Sequence, residues 1–473
     1  MVAPSEIVII GGGITGLACA HKLSNRASAS LTVYEASPRL GGVISTSYVD
    51  DCLIENGPDM FITNKPYMLD LASELGLADR IIGVNKKLAG ALVLSGGRLV
   101  KIPAGFVMLA PSKLMPFLES PILSPFGKLR ALMELVLPAR FTSEEESLAD
   151  FVRRRFGTEF LAKLAQPMVA GVYVGDAEKL SARAVAERFV EMERTEGSVI
   201  KALLKSGGSQ ESGARYGLFA SFDQGLSLLI ERLKAVLSER QVKLETSRKV
   251  TAIERHDCRY ELSFENGEKT ICDQIVLTTA ARVSGRLLQG LHPTLSARLA
   301  SIESASSVVI NFIFDESQIG EVPAFGAVFP AVEQAKMGLT LIAISFASNK
   351  FAGRAPSGKL VLRAFAGGVG QEKTVRLSDS ELTALALLDL RKLLGLKGEP
   401  SFVSVNRWMD SMPQYNLGHL DRVSEIVRLE AQMPGIYLGG ASFCGVGLPD
   451  CVNSGNLCAE RVLSSLQVAQ LSV

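Results

Sequence analysis

The residues with the clearest chemical meaning form a glycine-rich turn near the start of the chain. A short apolar run over 7–10 is typical of a buried parallel strand, and Gly11-Gly12-Gly13-Ile14-Thr15-Gly16 follows it directly. A helical pattern comes next, and then a second strand pattern that ends in Glu35. Glycines at this spacing let the backbone approach a pyrophosphate at a helix N-terminus, and Glu35 would accept hydrogen bonds from ribose hydroxyls. Together these elements predict a dinucleotide site.

The segment after Glu35 indicates which dinucleotide is bound. Pro38-Arg39-Leu40-Gly41-Gly42 follows closely, and a second glycine pair at this place is typical of flavoproteins, whose extended FAD needs a further close approach of the backbone. Two interpretations of Arg39 stay open, because it could pair with a phosphate or could be solvated. A further turn at 55–59 lies beside another strand end.

A second glycine-lined turn precedes a helix near the C-terminus. The predicted strand over 435–438 ends in Gly439-Gly440, and Pro449 and Asp450 suit the start of a helix over about 451–466. The positive end of this helix can face an anion. A flavin ring that becomes anionic on reduction fits this position.

Composition excludes several classes of protein. The 473 residues include 50 Lys and Arg and 49 Asp and Glu, and the resulting charge of +1 argues against a nucleic-acid binder. The seven Cys form no C-x-x-C pair and the four His lie far apart, so neither a disulfide framework nor a metal site is expected. There is no secretory signal pattern and no apolar run of about 18 residues, so a cytoplasmic location is expected.

The rest of the chain predicts a second sheet and a helical region. Alternation over 92–102 predicts a hairpin, and strands near 307–316, 339–346 and 359–366 predict an antiparallel sheet. The pattern over about 110–203 is helical and broken by prolines.

Two segments in this part of the chain have special compositions. Residues 104–140 combine Phe, Met and Leu with Lys and Arg, which fits either an ordinary helical core or a surface for a membrane or an apolar substrate. Residues 205–217 resemble a flexible surface loop.

Further motifs make the chain resemble a known family. Besides the two glycine-rich segments, they are Gln166-Pro-Met-Val-Ala-Gly-Val-Tyr-Val-Gly-Asp, Arg407-Trp, Ser411-Met-Pro-Gln-Tyr and Gly440-Ala-Ser-Phe-Cys-Gly-Val-Gly-Leu-Pro-Asp-Cys. The chain resembles the FAD-dependent porphyrinogen oxidases of haem biosynthesis, within the amine-oxidase superfamily. The later motifs look most like the bacterial branch that oxidises coproporphyrinogen III.

The resemblance implies an α/β fold of amine-oxidase type with three interleaved parts. A Rossmann-type FAD-binding domain would comprise 1–88, 204–280 and 400–473. A substrate-binding domain built on an antiparallel sheet would comprise 89–110 and 281–399. A helical subdomain would fill 111–203, and whether it faces a membrane stays open.

The resemblance also assigns residues to the site. The cofactor contacts, all to non-covalently bound FAD, are Gly11, Gly12, Gly13, Ile14, Thr15, Gly16, Glu35, Ala36, Arg39, Gly42, Gly57, Pro58, Asp59, Val250, Trp408, Val446, Gly447 and Leu448. The turn over 57–59 would approach the isoalloxazine, Val250 the adenine, and the loop over 446–448 the ring. Gly171 and Phe365 would contact the porphyrinogen.

One position departs from the family pattern. Eukaryotic members place an arginine before the hairpin turn to hold a propionate, and Ala91 stands there in this chain. Lys65 is a candidate substitute, with a solvated surface lysine as the alternative. No His, Cys or acid has a convincing general-base context, so no acid–base residue is assigned, which fits chemistry carried by a flavin.

The activity that the resemblance implies is an oxidoreductase reaction on CH–CH groups with oxygen as acceptor. Coproporphyrinogen III would lose six electrons to give coproporphyrin III and three hydrogen peroxide. Protoporphyrinogen IX is the alternative substrate, another flavin amine oxidase or desaturase is a more distant alternative, and a flavin protein without turnover also stays open. The expected partners are the porphyrinogen and dioxygen, without nucleic acid. Transient contact with the next haem-pathway enzyme and peripheral membrane contact stay open.

Overall fold

A five-stranded parallel sheet forms around the first apolar strand. The structure is a computed structural model that describes residues 5–27, 29–88, 90–141, 144–205, 217–320 and 322–471. In spatial order the strands are Lys243–Glu245, Ser30–Tyr34, Glu6–Ile10, Gln274–Leu277 and Ile436–Leu438. All four pairings are parallel. Ile7 and Ile9 enter one apolar core and Val8 and Ile10 enter another, because successive side chains of a strand point to opposite faces.

Helices and a small sheet cover the two faces of this parallel sheet. The first core contains residues of the helices Ile14–Ser24, Tyr67–Glu74, Ser227–Glu239 and Leu448–Leu471. The second contains residues of the helices Ala281–Leu287, Pro293–Ala300 and His419–Glu430, and of the antiparallel strands Val250–His256, Arg259–Phe264 and Lys269–Cys272. With helices on both faces of a parallel sheet, the predicted Rossmann-type layout is confirmed.

A seven-stranded sheet forms the second large unit of structure. In spatial order its strands are Phe402–Pro413, Ser304–Asp315, Lys359–Gly367, Ala343–Phe346, Gly326–Val328, Leu92–Ser95 and Arg98–Lys101. All neighbours are antiparallel except Gly326–Val328 and Leu92–Ser95. The predicted hairpin and antiparallel sheet are confirmed. Apolar side chains of one face pack with residues of the helix Asp379–Leu394.

The helical region has an apolar core of its own. Its helices are Leu114–Glu119, Pro125–Leu132, Leu148–Phe156, Thr158–Phe160, Gln166–Tyr173, Ala182–Glu196 and Val199–Lys205, with a π-helical turn at Leu161–Ala165 and a 3₁₀ turn at Met133–Leu135. Phe117, Phe151, Phe156 and Phe160 are fully buried in this core. Within the described residues, no helix is apolar over a stretch long enough to cross a bilayer.

Short elements connect these units. The strand pairs are Thr46–Val49 with Cys52–Glu55 and Phe106–Val107 with Ala110–Pro111, and a three-stranded sheet joins Phe61–Ile62, Phe219–Phe222 and Ile81–Gly83. Short helices are Ala331–Met337, Ala347–Lys350 and Glu372–Val375, and 3₁₀ turns are Ala78–Arg80, Lys86–Leu88 and Glu316–Gln318.

Two segments pack differently from the grouping that the sequence suggested. Phe402–Pro413, grouped with the FAD-binding domain, is an outer strand of the seven-stranded sheet because it pairs along Ser304–Asp315. The helices Ala281–Leu287 and Pro293–Ala300, grouped with the substrate-binding domain, bury their leucines against the parallel sheet. Most of the predicted loop over 205–217 lies outside the described residues.

Candidate functional site

The first turn needs glycine at two positions for steric reasons. Gly11 has a φ of +114°, and a Cβ on Gly16 would lie 2.0 Å from the Gly11 carbonyl oxygen. The helix Ile14–Ser24 starts at Gly13 with no side-chain cap and no acid in its first turn. Its first N–H groups therefore lack an intrahelical or side-chain acceptor, and they can bind an anion such as a pyrophosphate.

Glu35 is held in place beside this turn. The Gly12 N–H donates to Oε2 at 2.7 Å, and the Ser37 N–H donates to Oε1 at 2.9 Å. Each oxygen keeps a further lone pair for a hydroxyl donor. Ala36 is exposed next to it, and the segment that leads to Val250 runs alongside, because the Arg248 N–H donates to the Glu35 carbonyl at 2.9 Å.

The second glycine pair docks onto the first turn. The Gly41 N–H donates to the Gly12 carbonyl at 2.8 Å, and a Cβ on Gly42 would lie 3.2 Å from the Gly13 Cα. Arg39 braces its own loop. Its terminal nitrogens donate to the carbonyls of Gly42 at 2.6 Å and Ile44 at 2.9 Å, and the side chain is exposed. Because a guanidinium has five N–H donors, a contact with a phosphate stays a prediction.

The turn at Gly57–Asp59 is fixed by groups from distant parts of the chain. A Cβ on Gly57 would lie 1.9 Å from the Val43 carbonyl oxygen, so only glycine fits. Asp59 accepts from Lys350 Nζ at 2.8 Å and from Arg363 Nη1 at 3.1 Å. Burial alone would raise the pKa of Asp59, but the two cations hold that pKa well below its usual range. The carboxylate is therefore ionised.

One face of the seven-stranded sheet lies against this turn. Trp408 Nε1 donates to the Asn56 carbonyl at 2.9 Å, and Asn406 and Asn311 donate to the Asn56 side-chain oxygen at 3.2 and 3.4 Å. Sequence reasoning missed Lys350, Arg363 and the two asparagines of the sheet. The period-2 pattern of Lys359–Gly367 could have identified Arg363, because it is a charged residue on the same face as Phe365 in an otherwise apolar strand.

The C-terminal loop is held by a tyrosine from a motif to which no role was assigned. Tyr415 Oη donates to the Ala441 carbonyl at 2.5 Å and accepts from the Gly445 N–H at 2.7 Å. These bonds fix the loop that carries Val446 and Gly447, and the helix begins at Leu448.

Lys65 is paired in the structure. Its Nζ lies 2.5 Å from Asp450 Oδ1, a carboxylate in the first turn of the C-terminal helix, and its side chain is 42% exposed. Its role as a propionate partner stays a prediction. Ala91 is partly buried before the strand Leu92–Ser95 and offers no charge.

Gly171 and Phe365 lie in one region, where the helical region meets the seven-stranded sheet. Gly171 is exposed on the helix Gln166–Tyr173, and within the described part of the chain a Cβ there would meet Val328 Cγ1 alone, at 3.7 Å. Val328 pairs with Ala343, which pairs with Phe365, so the three side chains share one face of the sheet. Val446 packs against the same apolar cluster as Val328. The structure therefore brings Gly171, Phe365 and Val446 into one region.

The site holds no group of side chains with metal-binding geometry within the described residues. Its free helix N-terminus, oriented carboxylate and close-packed glycine turns fit an extended dinucleotide.

Comparison with known proteins identifies relatives over nearly the whole chain. Residues 14–463 match the family model described as flavin containing amine oxidoreductase. The chain is 35% identical to the coproporphyrinogen III oxidase of Bacillus subtilis (strain 168) over 471 residues, 98% of each chain. It is 30% identical to the chloroplastic protoporphyrinogen oxidase of Nicotiana tabacum, over 98% of this chain and 86% of that one. A solved structure from Exiguobacterium sp. 255-15, provisionally named a protoporphyrinogen oxidase, has a TM-score of 0.86 and 33% identity over 98% of this chain and 99% of its own.

Proposed function

The chain belongs to the flavin containing amine oxidoreductases, and we propose that it oxidises coproporphyrinogen III to coproporphyrin III with non-covalently bound FAD and dioxygen. The observation that carries the substrate proposal is the full-length identity of 35% to a coproporphyrinogen III oxidase. The reaction belongs to haem biosynthesis. Protoporphyrinogen IX remains the alternative substrate, supported by the 30% identity to the tobacco enzyme.

The proposed cofactor contacts follow from the geometry of the turns. The first N–H groups of the helix Ile14–Ser24 would hold the pyrophosphate, and Glu35 would accept from the ribose. The Gly57–Asp59 turn and the loop over 446–448 would bind the ring. A bound flavin supplies a two-electron acceptor for three rounds of oxidation, with dioxygen as the final acceptor and hydrogen peroxide as product.

The chain's own contribution to the reaction is orientation. Tyr173 lies two residues after Gly171, and burial together with Asp450 raises the pKa of Tyr173 to about 12. Burial and Arg422 lower the pKa of His419 to about 4. At neutral pH Tyr173 is protonated and His419 is neutral and fully buried, so neither supplies a base to the cleft. In the proposed reaction the pyrrole protons leave to solvent, and Gly171 and Phe365 position the substrate.

The two positions considered for holding a propionate, Ala91 and Lys65, favour the substrate with four propionates. Coproporphyrinogen III carries four carboxylates, which stay in water when the cleft is open. A carboxylate buried without a partner would be costly, and Ala91 and the paired Lys65 provide no dedicated clamp. An open cleft therefore suits coproporphyrinogen III better than a dry pocket would.

An exposed apolar surface supports the remaining partner proposals. The residues over 104–140 combine both interpretations given above, since Phe117 and Ala131 are buried in the helical core while other apolar side chains are between 38% and 84% exposed. The exposed ones are Met115, Leu118, Phe126, Leu129, Met133 and Val136, and Phe141, directly after this segment, is 79% exposed. We propose peripheral membrane contact or transient contact with the next haem-pathway enzyme through this surface. Co-sedimentation with anionic vesicles tests the first, and Phe126→Ser should reduce it.

The proposed turnover is tested by anaerobic reduction. Purified protein with bound FAD is mixed with coproporphyrinogen III without oxygen, and flavin absorbance is followed. Bleaching that reverses on admission of air, with porphyrin formed, supports the proposal. A flavin spectrum that stays oxidised would identify a flavin protein without porphyrinogen turnover.

A further inference from the structure

Five charged side chains with little exposure lie behind the Gly57–Asp59 turn. They are Glu55, Asp59, Lys350, Arg354 and Arg363, each no more than 8% exposed, and they are called the buried charge cluster below. Three are cations and two are carboxylates. Burial of this many ionised groups requires close compensation, because removing a charge from water is costly.

The compensation inside the cluster is incomplete. Among the described residues, Lys350 and Arg363 share a single ion-pair partner, Asp59 Oδ2. Arg354 makes no ion pair in the part of the chain that the structure describes. It donates instead to Ser221 Oγ at 2.8 Å and to the Phe222 carbonyl at 2.9 Å.

Glu55 is held by neutral donors. Its carboxylate accepts from the Leu226 N–H and the Thr46 hydroxyl, both at 2.7 Å. Even with Glu55 and Asp59 both ionised, the cluster keeps an excess of one positive charge. Burial lowers the pKa of Arg354 despite the attraction of Glu55 and Asp59, which agrees with incomplete compensation.

The excess positive charge lies between the Gly57–Asp59 turn and Phe365, which were predicted to contact different ligands. Arg363 donates to the Gly57 carbonyl, in the turn predicted to approach the isoalloxazine. Its guanidinium carbon also lies 5.2 Å from the ring centroid of Phe365, the residue predicted to contact the porphyrinogen. Arg363 Nε and the Oδ1 of its register partner Asn311 are buried without a hydrogen-bond partner among the described residues.

We propose that the buried charge cluster is the electrostatic partner of the negative charge that a flavin ring gains when it accepts electrons. Lys350 and Arg363 are then positioning residues that hold positive charge behind the Gly57–Asp59 turn and make the bound flavin a stronger oxidant. This inference rests on the proposed flavin site, but it does not depend on the identity of the substrate.

The test is a sulfite titration of the purified holoenzyme, because sulfite adds to an oxidised flavin and leaves negative charge on the ring. Lys350→Met removes one cation and should weaken sulfite binding by about tenfold. Asp59→Asn removes one carboxylate and should strengthen it. The matched control is Lys359→Met, since Lys359 lies on the same strand as Arg363 but is paired with Asp315 at its far end. This control should bind sulfite like the wild type.

Equal sulfite affinity in Lys350→Met, Asp59→Asn and the wild type would overturn the inference. So would unchanged sulfite affinity in Lys350→Met together with a raised KM for coproporphyrinogen III, since the cation would then serve a propionate. If Lys350→Met fails to retain flavin, Asp59→Asn alone tests the inference. Stronger sulfite binding than in the wild type supports it, and equal or weaker binding contradicts it. Wild-type protein that takes up no flavin contradicts the proposed cofactor itself, whereas wild type that binds sulfite without oxidising a porphyrinogen contradicts only the proposed substrate.

Discussion

The indole N–H of Trp408 donates a 2.9 Å hydrogen bond to the carbonyl of Asn56. Trp408 belongs to the outer strand of the seven-stranded sheet, and Asn56 precedes the turn at Gly57. The bond therefore joins the sheet that carries Phe365 to the turn proposed to hold the flavin ring. Phe365 and the turn can keep a fixed geometry because the sheet and the turn are linked in this way, and positioning is what the proposed reaction requires of the chain.

Replacement of Glu35 should weaken the cofactor without unfolding the protein. Glu35→Ala removes the acceptor that is oriented by Gly12 and Ser37, so FAD affinity should fall by about 1–3 kcal/mol, the scale of hydrogen bonds to a charged acceptor. Fluorescence titration of apoprotein with FAD measures this change. Glu245→Ala, an exposed carboxylate at the edge of the same sheet, is the control, and equal affinities in the two variants would refute the role of Glu35.

A side chain at position 171 should block turnover and spare the flavin. Among the described residues, a Cβ on Gly171 meets Val328 alone, at 3.7 Å, so a Cβ fits there, and the γ-methyl groups of Gly171→Val should occupy part of the proposed substrate site. The variant should stay yellow and lose most of its oxidase activity in steady-state assays. Wild-type kinetics in this variant would place the substrate elsewhere.

A methyl group at position 16 should destabilise the fold and cause loss of the flavin. Gly16→Ala would place its Cβ 2.0 Å from the Gly11 carbonyl oxygen and 2.8 Å from Thr278 Oγ1, so the turn has to open. We expect a loss of about 1–3 kcal/mol in the free energy of unfolding, together with loss of bound flavin. Chemical denaturation and the flavin-to-protein absorbance ratio measure both. Gly290→Ala is the control, because no atom lies within 4 Å of its added Cβ, and comparable losses in both variants would argue against a steric cause.

The two buried histidines should make a contribution to stability that rises with pH between about 4 and 6.5. Burial, with Arg240 near His21 and Arg422 near His419, lowers the pKa of each imidazole to about 4. In this range the imidazoles bind protons in the unfolded chain but not in the folded chain, so their contribution to the free energy of unfolding is smaller at pH 5 than at pH 7.

The variant His419→Phe isolates one of these histidines. Phenylalanine can keep the stack on Tyr415, whose ring centroid lies 4.0 Å away. Between pH 5 and pH 7 the free energy of unfolding should change by about 1–2 kcal/mol less in the variant than in the wild type. Chemical denaturation at both pH values measures this change. An unchanged difference would show that His419 titrates normally in the folded protein.

Local patterns in the sequence predicted the strand–helix–strand arrangement of one half of the candidate site, while its cofactor contacts stay predictions. The turn at Gly11–Gly16, Glu35 and the helix that follows lie within one strand–helix–strand unit, and their roles depend on spacing along the chain. The alternation in the later strands likewise predicted the antiparallel sheet. Both kinds of pattern involve residues that are close together in the sequence, so local spacing is enough to detect them.

The other half of the site depends on contacts between distant residues. Asp59 and Lys350 are 291 positions apart, Gly57 and Arg363 are 306 apart, and Lys65 and Asp450 are 385 apart. No local period links such residues, so the pairing of Lys65 and the buried charge cluster could not be derived from spacing. The loop carbonyls that Arg39 binds were not predicted for a different reason, because a guanidinium that binds its own loop has the same sequence as one that does not.

The most direct test of the proposed function is the rate of porphyrin formation from two substrates that are assayed in parallel. Coproporphyrinogen III and protoporphyrinogen IX are supplied aerobically at one ionic strength, and porphyrin fluorescence gives kcat/KM for each. We expect that the protein oxidises both substrates and that coproporphyrinogen III has the higher kcat/KM. A higher kcat/KM for protoporphyrinogen IX would contradict the substrate proposal, and the absence of porphyrin from both substrates with flavin bound would contradict the central claim that this flavoprotein is a porphyrinogen oxidase.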